Sequence, residues 1–359
     1  MGLAACRPAT GIQAEEGWQP VPNRYARHFQ VLRNGADRLV LVFSDTAGQD
    51  TVGAYRFSAA AQPGHFPKAL HRIVLGSTTH VPFVSALGGL QAVKGCAHLS
   101  DVRDTLTLQR MRAEGVKEVS TGDGLDREGI IVLHPEAILG YPFGRQEGDC
   151  MAQLNVPVID VGEYMEEHPL GKAEWLRFFG VLLGEEERSD SLFAGIARRY
   201  EAACKAGERT GPRPRVFFGS TWEHQWFVPP GNSYMARLIE DAGGAYLFAD
   251  RPGTGNITLD VESAIAQGAQ AEVWGTLLAA PPPVTEEAIA GGDARIQRLP
   301  AFQGHRTFYG NSMESDLFGD AALHPDDLLA DLQAIFHADD RRTCLYFRRP
   351  VQNGMPSRR

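Results

Sequence analysis

One stretch constrains this chain more than any other. From Pro169 to about Gly207 apolar residues recur at helical spacing: Trp175, Leu176, Phe178, Phe179, Leu182 and Leu183, then Leu192, Phe193, Ile196, Ala197 and Tyr200. Pro169 suits a first helical turn, and no proline follows until Pro212. A continuous helix of that length would run roughly 55–60 Å at 1.5 Å per residue. Such a helix spans a domain rather than fitting inside one. Gly180 and Gly184 are the places where it can bend, or divide into two packed helices.

On both sides of it, short apolar strands alternate with helices. Upstream, Arg38–Phe43 and Ala54–Phe57 look like two strands joined through Gly48 and Gly53. Then come strand Arg72–Leu75, helix Val81–Leu90, strand Gln91–Gly95, helix Asp126–Leu133, strand Ala137–Gly140, helix Gly148–Leu154 and strand Val156–Asp160. Downstream, strand Arg215–Phe218 leads to helix Ser233–Ala242, the Gly243–Phe248 strand, helix Asp260–Gly268 and strand Ala271–Trp274. Helix Glu286–Ile289, strand Arg306–Tyr309 and helix Pro325–Phe336 follow. This alternation indicates parallel sheets covered on both faces. A chain of 359 residues has room for two such domains. The expected fold is α/β, two Rossmann-like lobes joined by a single long helix. Its boundaries read as a tether over 1–26, an N-terminal lobe over 27–167, the linking helix over 168–210, a C-terminal lobe over 211–350 and a tail over 351–359.

Composition removes several functions. Hydrophobic residues at 43% and charged residues at 22% describe a globular chain, not a disordered one. A net charge of -9 repels phosphate backbones, and the basic pairs Arg341-Arg342 and Arg358-Arg359 are short, so no nucleic-acid partner is expected. No apolar run reaches the roughly 18 residues of a transmembrane helix. The five cysteines, Cys6, Cys96, Cys150, Cys204 and Cys344, are too scattered for a zinc or redox motif. Cys6 differs by context: Leu3-Ala4-Ala5-Cys6 fits a bacterial lipoprotein signal, in which small residues admit a peptidase and the thiol takes the lipid. The charged and apolar regions usual upstream of such a signal are missing. The expectation is lipidation at Cys6.

Ligands of open α/β sheets bind beyond the carboxyl ends of the strands. That rule selects Ser77, Thr78, Thr79 and His80; Tyr141 and Phe143; the segment from Ser220 to Phe227; and Thr276, with Asn311-Ser312 a weaker case. The third segment is dense: Trp222, Glu223, His224, Gln225, Trp226 and Phe227. Its tryptophans suggest an aromatic wall for a large flat ligand, although either one taken singly also fits a core position. Tyr234 follows a natural helix cap at Asn232 or Ser233. His80 and His224 are the histidines that would coordinate iron if the ligand were haem. Arg145, near a strand end, is a candidate partner for an anionic ligand, or an ordinary surface arginine. Nucleophile-elbow, Walker A and HExxH signatures are missing, and Gly122-Asp123-Gly124 has Arg127 where a dinucleotide fingerprint needs glycine.

At this point the residues resemble a known family, the iron-siderophore, haem and cobalamin substrate-binding proteins of ABC transporters. The resemblance is carried by Arg72–His80, Asn155–Asp160, His168-Pro169-Leu170-Gly171-Lys172-Ala173-Glu174-Trp175-Leu176-Arg177-Phe178-Phe179-Gly180, Gly231–Met235, Asp241–Gly244 and His324–Leu332, in family order from about residue 28 to 350. Two stretches depart from it. Ala97–Gly124 lacks a family-like motif, and His134-Pro135-Glu136 stands where the family has a turn containing aspartate. The resemblance implies a non-catalytic receptor outside the cytoplasm, holding a small-molecule metal chelate in a cleft between the lobes and delivering it to an ABC permease. It implies no resident cofactor and no metal of the protein's own. Lipid at Cys6 would then tether the receptor to the membrane. A glutamate on each lobe would meet the permease: Glu240 in one, Glu118 or Glu128 in the other. The alternative is an α/β metal-dependent or redox enzyme using His80, His224 and nearby carboxylates. A third possibility is a surface lipoprotein that holds no ligand and acts by protein contact.

Overall fold

Residues 17–60, 62–121, 124–141, 156–207, 213–223, 225–337, 339 and 341–351 are described by the computed structural model. They divide into two units. The first takes residues up to Glu166 together with Leu170–Ala194; the second takes Glu167–Pro169 and the chain from Gly195 onward.

The first unit begins with a five-stranded sheet in sequential order: β1 (Gln19–Val21), β2 (Phe29–Asn34), β3 (Asp37–Phe43), β4 (Thr51–Ser58) and β5 (Phe66–Pro67). The first four strands run antiparallel, and β5 joins β4 in parallel. The expected tether is therefore corrected in its second half, because Gln19, Pro20 and Val21 pair with Arg33, Leu32 and Val31. A parallel sheet follows, made of β6 (Ile73–Leu75), β7 (Val93–Cys96), β8 (Lys117–Glu118), β11 (Ala137–Gly140) and β12 (Val158–Asp160) in the order β12-β11-β6-β7-β8. Between them β9 (Ser120–Thr121) and β10 (Gly124–Leu125) form a small antiparallel pair. Helices α1 (Val81–Ala86), α2 (Thr105–Ala113) and α3 (Arg127–Leu133) complete the lobe. Asp104 and Asp126 start α2 and α3 by accepting the orphan backbone N–H groups of their first turns. Glu136, at the position where the sequence departs from the family, accepts the backbone N–H groups of His71 and Arg72 and so ties the entry of β6 to the entry of β11.

The expected continuous helix over 168–210 is two helices. In α4 (Pro169–Leu183) buried residues occupy the whole circumference, among them Leu170, Ala173, Trp175, Phe178, Phe179 and Leu182. One side meets the first sheet, with Phe29 4.8 Å from Trp175 and 5.9 Å from Phe178 between ring centres. The other meets α1, where Phe83 stacks on Phe179 at 4.9 Å. Gly184 ends the helix at φ +71°, a left-handed conformation that glycine adopts without strain. Gly180 lets Ser189 approach so closely that a side chain there would collide. Then α5 (Glu186–Gly207), 22 residues long, runs from the first unit into the second.

In the second unit the sheet order is β16-β13-β18-β19-β20: β13 (Arg215–Phe218), β16 (Ala245–Tyr246), β18 (Val273–Leu278) and β19 (Thr307–Asn311) run parallel, and β20 (Phe347–Arg348) closes the edge antiparallel. Strands β14 (Ser220–Trp222), β15 (Gln225–Val228) and β17 (Ile257–Asp260) form a separate antiparallel sheet. Helices α6 (Tyr234–Asp241), α7 (Val261–Gly268), α8 (Glu286–Ile289), α9 (Pro300–Gln303) and α10 (Pro325–Phe336) fall where the periodicity places them, except α9, which the sequence reading did not include. Phe217 stacks on Trp274 at 3.8 Å in the core. Among the described cysteines, Cys96, Cys204 and Cys344 form no disulfide.

Two buried carboxylates hold the start of the chain. Glu174 accepts backbone N–H groups from Arg24, Tyr25 and Ala26 at 2.8–3.1 Å, and Glu166 accepts those of Arg27 and His28 at 3.0–3.1 Å plus the Trp175 indole at 3.0 Å. Glu174→Ala leaves three backbone donors without their acceptor and is expected to destabilise the fold by about 3 kcal/mol or more, with Glu174→Gln less damaging because it keeps one acceptor oxygen. Urea unfolding midpoints of the three proteins check this; equal midpoints would contradict it.

Candidate functional site

The carboxyl ends of β6, β11 and β12 bring together residues far apart in sequence. After β6 the backbone passes Gly76, and Ser77 caps a short 3₁₀ turn, Thr78–His80, by accepting the Thr79 N–H at 3.1 Å. After β11 comes Tyr141, and after β12 a second 3₁₀ turn, Glu163–Met165. Their side chains form one relay. The Tyr141 phenol donates to Ser77 Oγ, Ser77 Oγ lies 3.0 Å from Thr79 Oγ1, and Thr79 Oγ1 donates to Glu163 Oε1 at 2.9 Å. His80 Nε2 faces Glu163 Oε2 at 4.0 Å, beyond hydrogen-bond range. Beside the relay, the Tyr55 phenol donates to Asp160 Oδ2 at 2.8 Å and accepts the Asp160 N–H at 2.8 Å.

Burial sets the electrostatics. His80 and Glu163 are both 0% exposed. Burial lowers the His80 pKa, with Glu163 opposing, so the ring is neutral. Asp160 is shifted upward by burial, against the Tyr55 hydrogen bond. The Tyr164 phenol, whose ring meets Tyr141 edge-on at 5.4 Å, is pushed up to about 12 by burial and by Glu163, Tyr141 and Asp160. Thr78, Thr79 and Tyr141 are half-buried and Tyr164 is exposed, so this edge offers hydroxyl groups to a polar ligand. The expectation that His80 touches or coordinates a ligand is corrected: its ring is sealed between Tyr141 and Phe179, each 5.9 Å away.

In the second unit, the segment read as an aromatic wall is a β-hairpin. Trp222 pairs with Gln225, leaving a two-residue turn in which Glu223 has φ +48°. Alternation then sends the two tryptophans to different environments. Trp222 is 69% exposed, whereas Trp226 is buried against Phe217 and Trp274, so its expected place on the ligand face is corrected to the core. Thr276 is likewise buried, its hydroxyl donating to the Leu277 carbonyl at 3.2 Å. Tyr234 is half-buried at the start of α6, behind the Ser233 cap, and burial raises its phenol pKa. Phe143, Arg145, His224 and Cys6 lie outside the described residues. The sequence reading missed Tyr55, Asp160, Glu163 and Tyr164. The strand-end rule finds the last three once it is applied to β12 as it was to β6.

The family model for periplasmic binding proteins matches residues 73–308, more than half of the chain. The chain belongs to the periplasmic binding protein family. It is 24% identical over 310 residues to an uncharacterised lipoprotein of Methanocaldococcus jannaschii, covering 79% of this chain and 70% of that protein. Among solved structures it is similar to a periplasmic haem-binding protein of Pseudomonas aeruginosa (TM-score 0.61, 17% identity, 79% and 98% of the two chains). It is also similar to the periplasmic vitamin B12-binding protein of Vibrio cholerae (TM-score 0.54, 17% identity, 76% and 98%).

In this periplasmic binding protein the three singled-out glutamates stand differently. Glu240 on α6, Glu128 in the first turn of α3 and Glu118 on β8 are all exposed, and they differ in the bonds they make. The Glu118 carboxylate accepts the N–H groups of His98, Leu99 and Ser120 and the Ser120 hydroxyl, bonds that bind it to its own lobe.

Two histidines whose pKa is lowered, buried His80 and half-buried His168, have a consequence for stability. Burial lowers the pKa of His80, and burial with Arg237 lowers that of His168 to about 4, against Asp241. Their unfolded value is about 6.5, so the unfolded chain binds more protons below it and their contribution is lost as pH falls from about 6.5 toward 4. His168→Gln should therefore flatten the loss of urea resistance between pH 7 and 5, by at most about 1.4 kcal/mol per pH unit. An unchanged slope would contradict the assignment.

Proposed function

We propose that this periplasmic binding protein is the solute receptor of an ABC importer and that its solute is a metal chelate of the ferric-siderophore, haem or cobalamin class. The observation that carries the reading is the family match from β6 through β19, joined to the hydroxyl edge formed by Ser77, Thr78, Thr79 and Tyr141. The similarity to proteins described as binding haem and vitamin B12 supports the same solute class. In this reading the hydroxyls of the first unit bond the polar periphery of a chelate, and the exposed indole of Trp222 is the second unit's own candidate contact for a flat ligand. The hydroxyls are already fixed by one another, so little side-chain freedom remains to be lost on binding. The protein binds and releases the chelate unchanged, with no cofactor of its own.

Tryptophan fluorescence during titration with haemin, cyanocobalamin and a ferric hydroxamate tests this. One of them is expected to quench saturably and to be recovered intact. Trp222→Ala should weaken its Kd by about 5- to 30-fold, the equivalent of about 1–2 kcal/mol of aromatic contact. Trp226→Ala should lower stability more than affinity. Failure of all three chelates to bind would sink the reading.

The partner in this proposal is a permease met through Glu240 and Glu128 rather than Glu118, and the membrane is reached through lipid on Cys6. The name of the archaeal relative supports the anchor. Among the described residues no helix is long and apolar enough to cross a membrane. Glu240→Arg with Glu128→Arg should abolish chelate uptake in cells while leaving Kd unchanged, and Cys6→Ser should move the protein out of the membrane fraction. Uptake unaffected by both charge reversals would remove these glutamates from the docking surface.

A further inference from the structure

A cavity of about 770 Å³ in the first unit shares no lining residue with the hydroxyl edge. It is open to solvent and bordered by the connection from β4 to β5, the approach to β6, and the last turn of α4. Its volume suits a small-molecule ligand. Leu183 and Gly184 apart, its lining precedes residue 73, where the family match begins.

Pro63, Phe66, Pro67, Ala69 and Leu183 supply apolar wall, while the basic side chains of His65, Lys68 and His71 and the amide of Gln62 also line the cavity. No carboxylate is among the described lining residues, and none of the three basic side chains has an ion-pair partner among the described residues. Glu136 is not among the lining residues; its Oε2 accepts the backbone N–H groups of His71 and Arg72. His65 Nδ1 is buried with nothing to bond, an arrangement that costs stability unless a ligand satisfies it. The end of α4 is not an exposed row of acceptors that would repel an anion. Leu70, Gly184 and Glu185 donate their N–H groups to the carbonyls of Leu182, Val181 and Gly180.

We propose that this cavity binds a small amphipathic carboxylate, its apolar body against Phe66, Ala69 and Leu183 and its carboxylate among Lys68, His71 and His65. The site is independent of the chelate-receptor reading and stands or falls separately from it.

The test is titration of the full chain with 2-naphthoate, with 2-naphthol and 2-naphthylmethylamine as neutral and cationic molecules of similar shape. Naphthoate should bind saturably, the other two at least about tenfold more weakly, and Lys68→Ala should weaken naphthoate by about tenfold. Ala69→Trp, which fills the cavity, should abolish naphthoate binding while the urea unfolding midpoint is retained. If that variant does not fold, Lys68→Glu gives the same test through charge alone. Amide resonances of residues 62–71 should shift with naphthoate. Equal affinity for the three compounds, binding unchanged in Lys68→Glu, or no saturation below about 1 mM would overturn the proposal.

Discussion

The grip of Glu166 and Glu174 on the backbone of residues 24–28 is the interaction on which the first unit depends. Five consecutive N–H groups point at two carboxylates, one just before α4 and one inside it. Each carboxylate is buried, and burial alone raises the Glu166 pKa. What makes such burial tolerable is the number of donors each receives. The consequence is geometric. The chain is delivered into β2 with Phe29 seated on Trp175 and Phe178. The next residue of the helix, Phe179, faces the other way, toward Phe83 and His80. One helix therefore carries the first sheet on one side and supports the strand-end turn of the hydroxyl edge on the other.

The second unit uses the same device late in the chain. Asp331 on α10 is fully buried, with Oδ2 accepting the N–H groups of Leu345, Tyr346 and Phe347, and Oδ1 bound to Arg342 Nε at 3.0 Å. This delivers β20 to the edge of the sheet. In both units a carboxylate on a helix captures a run of backbone donors at the entry to a strand. Backbone groups left unpaired inside a protein cost more than a net hydrogen bond returns, so the capture decides where the segment lies.

This explains what could and could not be read from the residues. Strands such as Ile73–Leu75 and Arg215–Phe218 are continuous apolar runs between turns, and buried parallel strands have that form. Helix α10 was legible from cap to end because its apolar spacing and Pro325 agree. β2, by contrast, is FQVLRN, whose arginine and asparagine belong to an exposed end. α2 buries only Thr107 and Met111 and leaves Leu106 exposed, so it has almost no periodic signal. The two tryptophans of the β14–β15 hairpin were legible as a feature but not as two opposite faces. Glu223 and His224 do not spell a turn as Asn-Gly would, and a one-residue error in register exchanges core for surface. Glu166 and Glu167 are adjacent identical letters; one is buried and one exposed, and only the N–H groups brought from residues 27–28 distinguish them.

The hydroxyl edge beyond β6 follows the same logic with one difference. Glu163 has one oxygen satisfied by Thr79, while the other faces His80 across 4.0 Å without a bond, and neither ring nitrogen of His80 has a partner. By itself that arrangement is unfavourable, since buried polar atoms without partners lose their hydration and receive nothing in return. Its effect on the neighbouring groups is to remove alternatives. Thr79 is held by Glu163, Ser77 by Thr79 and by the capped turn, and Tyr141 by Ser77. A surface of threonine, serine and tyrosine hydroxyls would otherwise rotate freely and lose that freedom again on binding. Here the rotors are already set from the buried end outward. Buried Glu163, through Thr79, thus anchors the hydroxyls of Ser77 and Tyr141 from the inside outward.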